Sequence, residues 1–283
     1  ILPADPVVAF CANLIEDYAD EWLWRAAMHY RWSYDHDREL LSRILADEQT
    51  RHLKLPRLLR RRMVKKRQLT GFVVNDGVTS STRAHVEAGY HRILTLMSTA
   101  LQNRPFVLGH RPSLADVGLM GPMLRHFAQD PTPAEIMRDT APDVFAWVAR
   151  MWNAGAGDKT GALLPAMPED LQPMLQEIVE THLVQLRANA AAWHAGQATF
   201  AMQVQGCSYQ DLPVSRYRVY CLEQLRSAFA GLDAVAQTQV RELLPWPDAT
   251  LLWEPGAFQS DYDPESLAPF NKAINVFRDG VPS

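Results

Sequence analysis

Cysteine is scarce in this 283-residue chain: Cys11, Cys207 and Cys221 are all there is, and none stands in a CxxC spacing. So few thiols, odd in number, form no zinc signature and fit a reducing compartment better than a disulfide framework, so a cytoplasmic location is expected. No apolar run approaches the roughly 18–20 residues needed to cross a bilayer, and no membrane partner is expected. The opening residues Ile1-Leu2-Pro3-Ala4-Asp5-Pro6 carry no initiator Met and no basic or apolar stretch of a secretory signal. The chain also lacks a P-loop, a GxGxxG turn, a GxSxG elbow and an HExxH pair. His85, His91, His110, His126, His182 and His194 show no paired-ligand spacing, so no metal site is expected. A formal charge of −4 argues against nucleic acid as a partner for the chain as a whole.

What the chain does have is helical periodicity, and the expected class is all-α. Asp5-Pro6 reads as a cap and first helical position. From there Val7, Cys11, Leu14, Tyr18, Trp22 and Ala26 recur at spacings of three and four, which predicts a helix to about Trp32. A second helix is expected from Asp37 to about Arg67, broken or kinked near Pro56. Gly71 and Asn75-Asp76-Gly77 mark a loop. Val86, Tyr90, Ile93, Met97 and Leu101 mark a long helix ending near Pro105. Further helices are expected after Ser113 and from Pro142, then a linker over 154–168 and a helix over 169–195. Alternation at Phe200, Met202 and Val204, followed by Gly206, predicts the one short β-hairpin, near 199–214. Residues 215–232 read as helix again, and prolines break the last forty residues into short surface pieces.

Two clusters carry candidate chemistry. Glu16, Asp17, Asp20 and Glu21 place four carboxylates within two helical turns, where like charges at i,i+4 repel. They read either as the rim of a site or as a solvated acidic face over an aromatic stripe. Residues 51–67 hold nine Lys or Arg interleaved with Leu, Met and Val. That stretch suits an anionic partner or surface, or its cations are answered within the molecule by acidic runs such as Asp47-Glu48.

The segment Arg104-Pro105-Phe106-Val107-Leu108-Gly109-His110-Arg111-Pro112-Ser113-Leu114-Ala115-Asp116 resembles the loop and helix start of the glutathione transferase C-terminal domain. Locally it reads as a capping box between Ser113 and Asp116, a structural role. Ala141-Pro142-Asp143-Val144-Phe145-Ala146-Trp147 resembles the helix that follows in that family. Ile1-Leu2-Pro3-Ala4-Asp5-Pro6 resembles its interdomain linker. The resemblance covers residues 1 to about 153. It implies a transferase-like helical bundle over 1–160 and a mostly helical extension over 161–283. It further implies that this chain is the electrophile-pocket half of a glutathione-dependent transferase and forms a homodimer. Tyr18, Trp22, Met28 and His29 would line the pocket, and Arg25 or Asp17 would touch glutathione. Glutathione as co-substrate, and the group that activates its thiol, depend on a thioredoxin-like domain that this sequence does not contain. The other reading is a non-catalytic transferase-like module for protein–protein assembly.

Overall fold

The computed structural model describes residues 1–155, 161–256 and 258–263. Asp5 accepts from the Val7 and Val8 N–H groups, at 2.9 Å each, and so starts α1 (Pro6–Glu21). The expected first helix is interrupted at Trp22, after which α2 (Leu23–Ser33) continues. The expected second helix is two: α3 (Asp35–Gln49) and α4 (Arg57–Leu69), separated at 50–56 and folded back on each other. Pro56 lies at the position before α4, where its missing N–H is harmless. Where the sequence reads as loop, a π-helical turn (Thr70–Val74) carries on from α4 before α5 (Arg83–Leu101). Then come α6 (Leu114–Pro122), a π turn (Met123–Phe127), α7 (Pro131–Thr140) and α8 (Pro142–Asn153).

The extension begins with a 3-10 turn (Glu169–Leu171). It then forms one rod of α9 (Gln172–Ile178), a π turn (Val179–Leu183) and α10 (Val184–His194). Strands β1 (Thr199–Val204) and β2 (Cys207–Pro213) pair antiparallel, with Gly206 at φ +80° in the turn. After them come α11 (Arg216–Ala230), α12 (Ala234–Leu243) and a 3-10 turn (Pro247–Leu252). The expected pieces beyond 263, and part of the expected linker, lie outside the described residues. The class is all-α with one small hairpin.

One hydrophobic core runs through both parts, from Val7 to Leu252. Helix α1 is its axis: it packs against α6 on one side and against α9, α11 and α12 on the others. Gly118 makes the α1–α6 approach possible, because a Cβ there would stand 2.7 Å from the Glu16 Cα. Gly118→Ala should therefore destabilise the fold by about 1–3 kcal/mol through overpacking. Gly89→Ala, in α5 with no comparable obstacle, should stabilise it by up to about 1 kcal/mol. Denaturant unfolding of the two variants checks the contrast, and equal effects would contradict the close approach.

Candidate functional site

The Ser113–Asp116 cap forms and does more than cap. Asp116 Oδ2 accepts from the Ser113 N–H (2.9 Å) and hydroxyl (2.6 Å). Its Oδ1 accepts from the Val107 N–H (2.8 Å) and the Trp147 Nε1–H (3.0 Å). Burial pushes this carboxyl up, and the hydrogen bonds from Ser113, Val107 and Trp147 oppose that shift. One carboxylate thus ties the 104–110 loop, α6 and α8 together.

The five residues expected around an electrophile are all buried by the chain itself. The Arg25 guanidinium lies between the rings of Trp22 (4.4 Å) and Tyr209 (5.0 Å). Its Nε donates to the Asp76 carbonyl (2.7 Å) and its Nη2 to Gln185 Oε1 (2.5 Å). Tyr18 is fully buried, with its ring edge-on to His182 and its hydroxyl without a partner. His182 in turn meets Asp17 Oδ2 at 2.5 Å. His29 joins Glu87 at 2.9 Å, and burial lowers its pKa, which favours the neutral ring. Burial works against the charge on Glu87, but hydrogen bonds from His29, Arg83 and Tyr34 outweigh it and hold this carboxyl at about 2. Arg218 reaches Glu21 (3.1 Å) and Asp76 (3.2 Å). The extension, through His182, Gln185, Tyr209 and Arg218, therefore seals the face of α1–α2 that bears Tyr18, Trp22 and Arg25.

An open concavity lies on a different face. A pocket of about 410 Å³ opens between α1–α2, the α3–α4 hairpin and the π turn at 123–127. Of the five expected residues, Met28 lines it. Its aromatic wall is Trp24, edge-on to Phe72 (6.1 Å) and to His126 (5.2 Å). Phe72 and His126 both sit on π turns, and such distortions of a helix recur at functional sites. Burial, with Arg31 and Arg125 nearby, pushes His126 down to about 3, so its imidazole is neutral at pH 7. Arg31 is fixed by two bonds to Asp130 (2.7 and 2.9 Å) and one to the Arg125 carbonyl (2.8 Å). Two buried ring nitrogens of the wall, Trp32 Nε1 and His126 Nδ1, have no hydrogen-bond partner. Larger hollows, of about 540 Å³ beside Arg111 and Arg150 and about 620 Å³ beside His91 and Gln176, lack such a wall of ring contacts.

The acidic cluster of α1 borders this pocket through Asp20. Burial, and repulsion from Asp20, Asp17 and Glu21, push Glu16 up to about 7. A carboxyl raised on folding holds an extra proton in the native state, so stability falls as pH rises from about 4.5 to about 7. Glu16→Gln should flatten that part of the melting-temperature profile. An unchanged slope would rule out Glu16 as its source.

Sequence reasoning passed over Trp24 and Phe72 and treated His126 as an ordinary polar residue. A usable signal existed for Trp24: it falls out of phase with the stripe Val7–Ala26 and is 36% exposed. Among the described residues no group of three or more His, Cys, Asp or Glu is placed to hold a metal ion, and no helix is long and apolar enough to cross a membrane.

Residues 70–154, from the first π turn to just past α8, match the family model of the glutathione S-transferase C-terminal domain. No curated protein and no solved structure matches the chain. The matched segment supplies Phe72, Gly121, Pro122, Arg125 and His126 to the pocket wall.

Proposed function

We propose that this chain is the electrophile-binding half of a glutathione-dependent transferase, and that the pocket walled by Trp24, Met28, Phe72 and His126 holds the electrophile. The observation that carries the reading is an aromatic-walled pocket to which the segment matching the transferase domain contributes Phe72 and His126, opposite Trp24 and Met28 from α2. An apolar, ring-bearing electrophile suits the Trp24 and Phe72 faces. The exposed Arg125 at the rim, which has no ion pair among the described residues, suits charge that develops on a departing group.

In such a reaction a glutathione thiolate forms a carbon–sulfur bond, and the leaving group departs with its electron pair. This chain's thiols are unsuited to that nucleophilic role: burial pushes Cys11 up to about 12, Cys221 above the usual thiol range, and Cys207 up as well. Arg25, which the resemblance places against glutathione, is already engaged by the Asp76 carbonyl and Gln185. Binding of glutathione and activation of its thiol are therefore assigned to a thioredoxin-like domain, as the resemblance implies. What this chain does is bind, orient and desolvate the electrophile. The three unpaired cysteines suit a cytoplasmic setting, and the homodimer is carried over from the family.

The natively expressed protein should consume glutathione in the presence of an aryl electrophile. Trp24→Ala should raise KM about tenfold while leaving kcat within a few-fold, since one aromatic wall is worth a kcal/mol or more, about 1.4 per factor of ten. Absence of turnover would favour the assembly-module reading. Turnover with an unchanged KM would remove the pocket from the account.

A further inference from the structure

Positive charge in this molecule is gathered at one place. Residues 35–69, the α3–α4 hairpin, hold eleven Lys or Arg against five Asp or Glu, whereas the rest of the chain holds seventeen against twenty-seven. Part of the hairpin's charge is answered internally. Arg57 pairs with Asp47, and Arg61 (2.7 Å) and Lys65 pair with Glu39. Arg60 donates to the Ala46 and Thr50 carbonyls at the end of α3 (3.3 and 3.2 Å). Arg51, Lys54, Arg62, Lys66 and Arg67 are exposed, and no ion pair among the described residues takes them up.

The apolar residues of α4 are placed opposite to those of an ordinary surface helix. Val64 is buried, while Leu58, Leu59 and Met63 are 77, 49 and 49% exposed. Spacings of four set them in two adjoining rows, Leu58–Arg62–Lys66 and Leu59–Met63–Arg67. The leucines thus stand near the hairpin tip, beside exposed Leu55, with Arg51 and Lys54 at the tip itself and Arg62, Lys66 and Arg67 behind them.

We propose that the α3–α4 hairpin docks on an anionic phospholipid surface. Leu55, Leu58, Leu59 and Met63 enter the boundary between headgroups and acyl chains, and Arg51, Lys54, Arg62, Lys66 and Arg67 pair with lipid phosphates. Net negative charge elsewhere on the chain is repelled by the same surface, which fixes the hairpin as the contact. A nucleic acid is the weaker fit, because residues 35–69 contain no Phe, Tyr or Trp on which a base would stack. Two copies joined hairpin to hairpin across a two-fold axis would oppose like charges. The proposal is independent of the transferase reading, although the pocket wall includes Leu45, Gln49 and Gln68 of the same hairpin.

Cosedimentation of the full chain with vesicles of phosphatidylcholine, with or without phosphatidylglycerol, tests it. Binding is expected to the anionic vesicles alone and to fall at high salt. Each cation contributes about fivefold, so a variant with Arg62→Ala, Lys66→Ala and Arg67→Ala should bind about 100-fold more weakly. A variant with Leu58→Ser, Leu59→Ser and Met63→Ser should lose the vesicles yet keep its retention on heparin. Circular dichroism establishes that both variants are folded. No binding, equal binding to neutral vesicles, or unchanged vesicle binding by either variant would overturn the proposal. A dimer that falls apart in the Ser variant would also overturn it, because the face would then be an interface between copies.

Discussion

Asp116→Ala is expected to cost about 3–5 kcal/mol, a large part of the stability of a typical domain. The carboxylate has four donors within 3.0 Å, from Ser113, Val107 and Trp147. Truncation leaves the Val107 N–H, the Ser113 N–H and the Trp147 indole N–H buried without an acceptor, each at a desolvation cost of about 1–3 kcal/mol. Ser113→Ala removes one donor and the weaker 3.5 Å half of the box, and should cost about 1 kcal/mol. Urea unfolding of the two variants separates them. A loss at Asp116 no larger than at Ser113 would mean that Asp116 acts as an ordinary helix cap.

Arg25→Ala should have an effect of the same order, about 3–5 kcal/mol, because it breaks a buried charged network and opens a gap between two aromatic rings. Gln185 loses its Arg25 partner, while Asp76 keeps only Arg218. Arg25→Met, which fills more of the space between Trp22 and Tyr209, should cost less. The seam joins α2 to the extension, so hydrogen exchange should quicken in β1 and β2 before it does in α5 or α6. Uniform quickening across the chain would show that Arg25 has no special hold on the extension.

What was legible in the sequence was local. Asp5-Pro6 and Ser113–Asp116 are caps whose partners lie within three residues, and they form as their spacing predicts. The alternation around Gly206 needed only a tight turn to become a hairpin. Helix α12 was missed although Asp233 caps it by accepting from the Ala236 N–H. The π turns were not read from the sequence, although Pro122 inside α6 immediately precedes the one at 123–127. The pocket was illegible because Trp24, Phe72 and His126 lie about fifty residues apart from one to the next and meet only once the bundle has formed. Tyr18 and Trp22 were read as part of one apolar stripe, and both are buried, although the helix that carries the stripe breaks at Trp22. Nothing in the spacing of residues 1–32 reveals that His182, Gln185 and Tyr209 would cover the face that bears them.

The central claim is that the pocket beside Trp24 is a binding site for ring-bearing electrophiles. Calorimetric titration of the chain with an S-aryl glutathione conjugate tests it most directly, because the conjugate carries the ring whether or not thiol activation is present. Saturable binding that weakens about tenfold in Trp24→Ala and again in Phe72→Ala is the predicted result. Absence of binding, or binding that neither substitution changes, would contradict it.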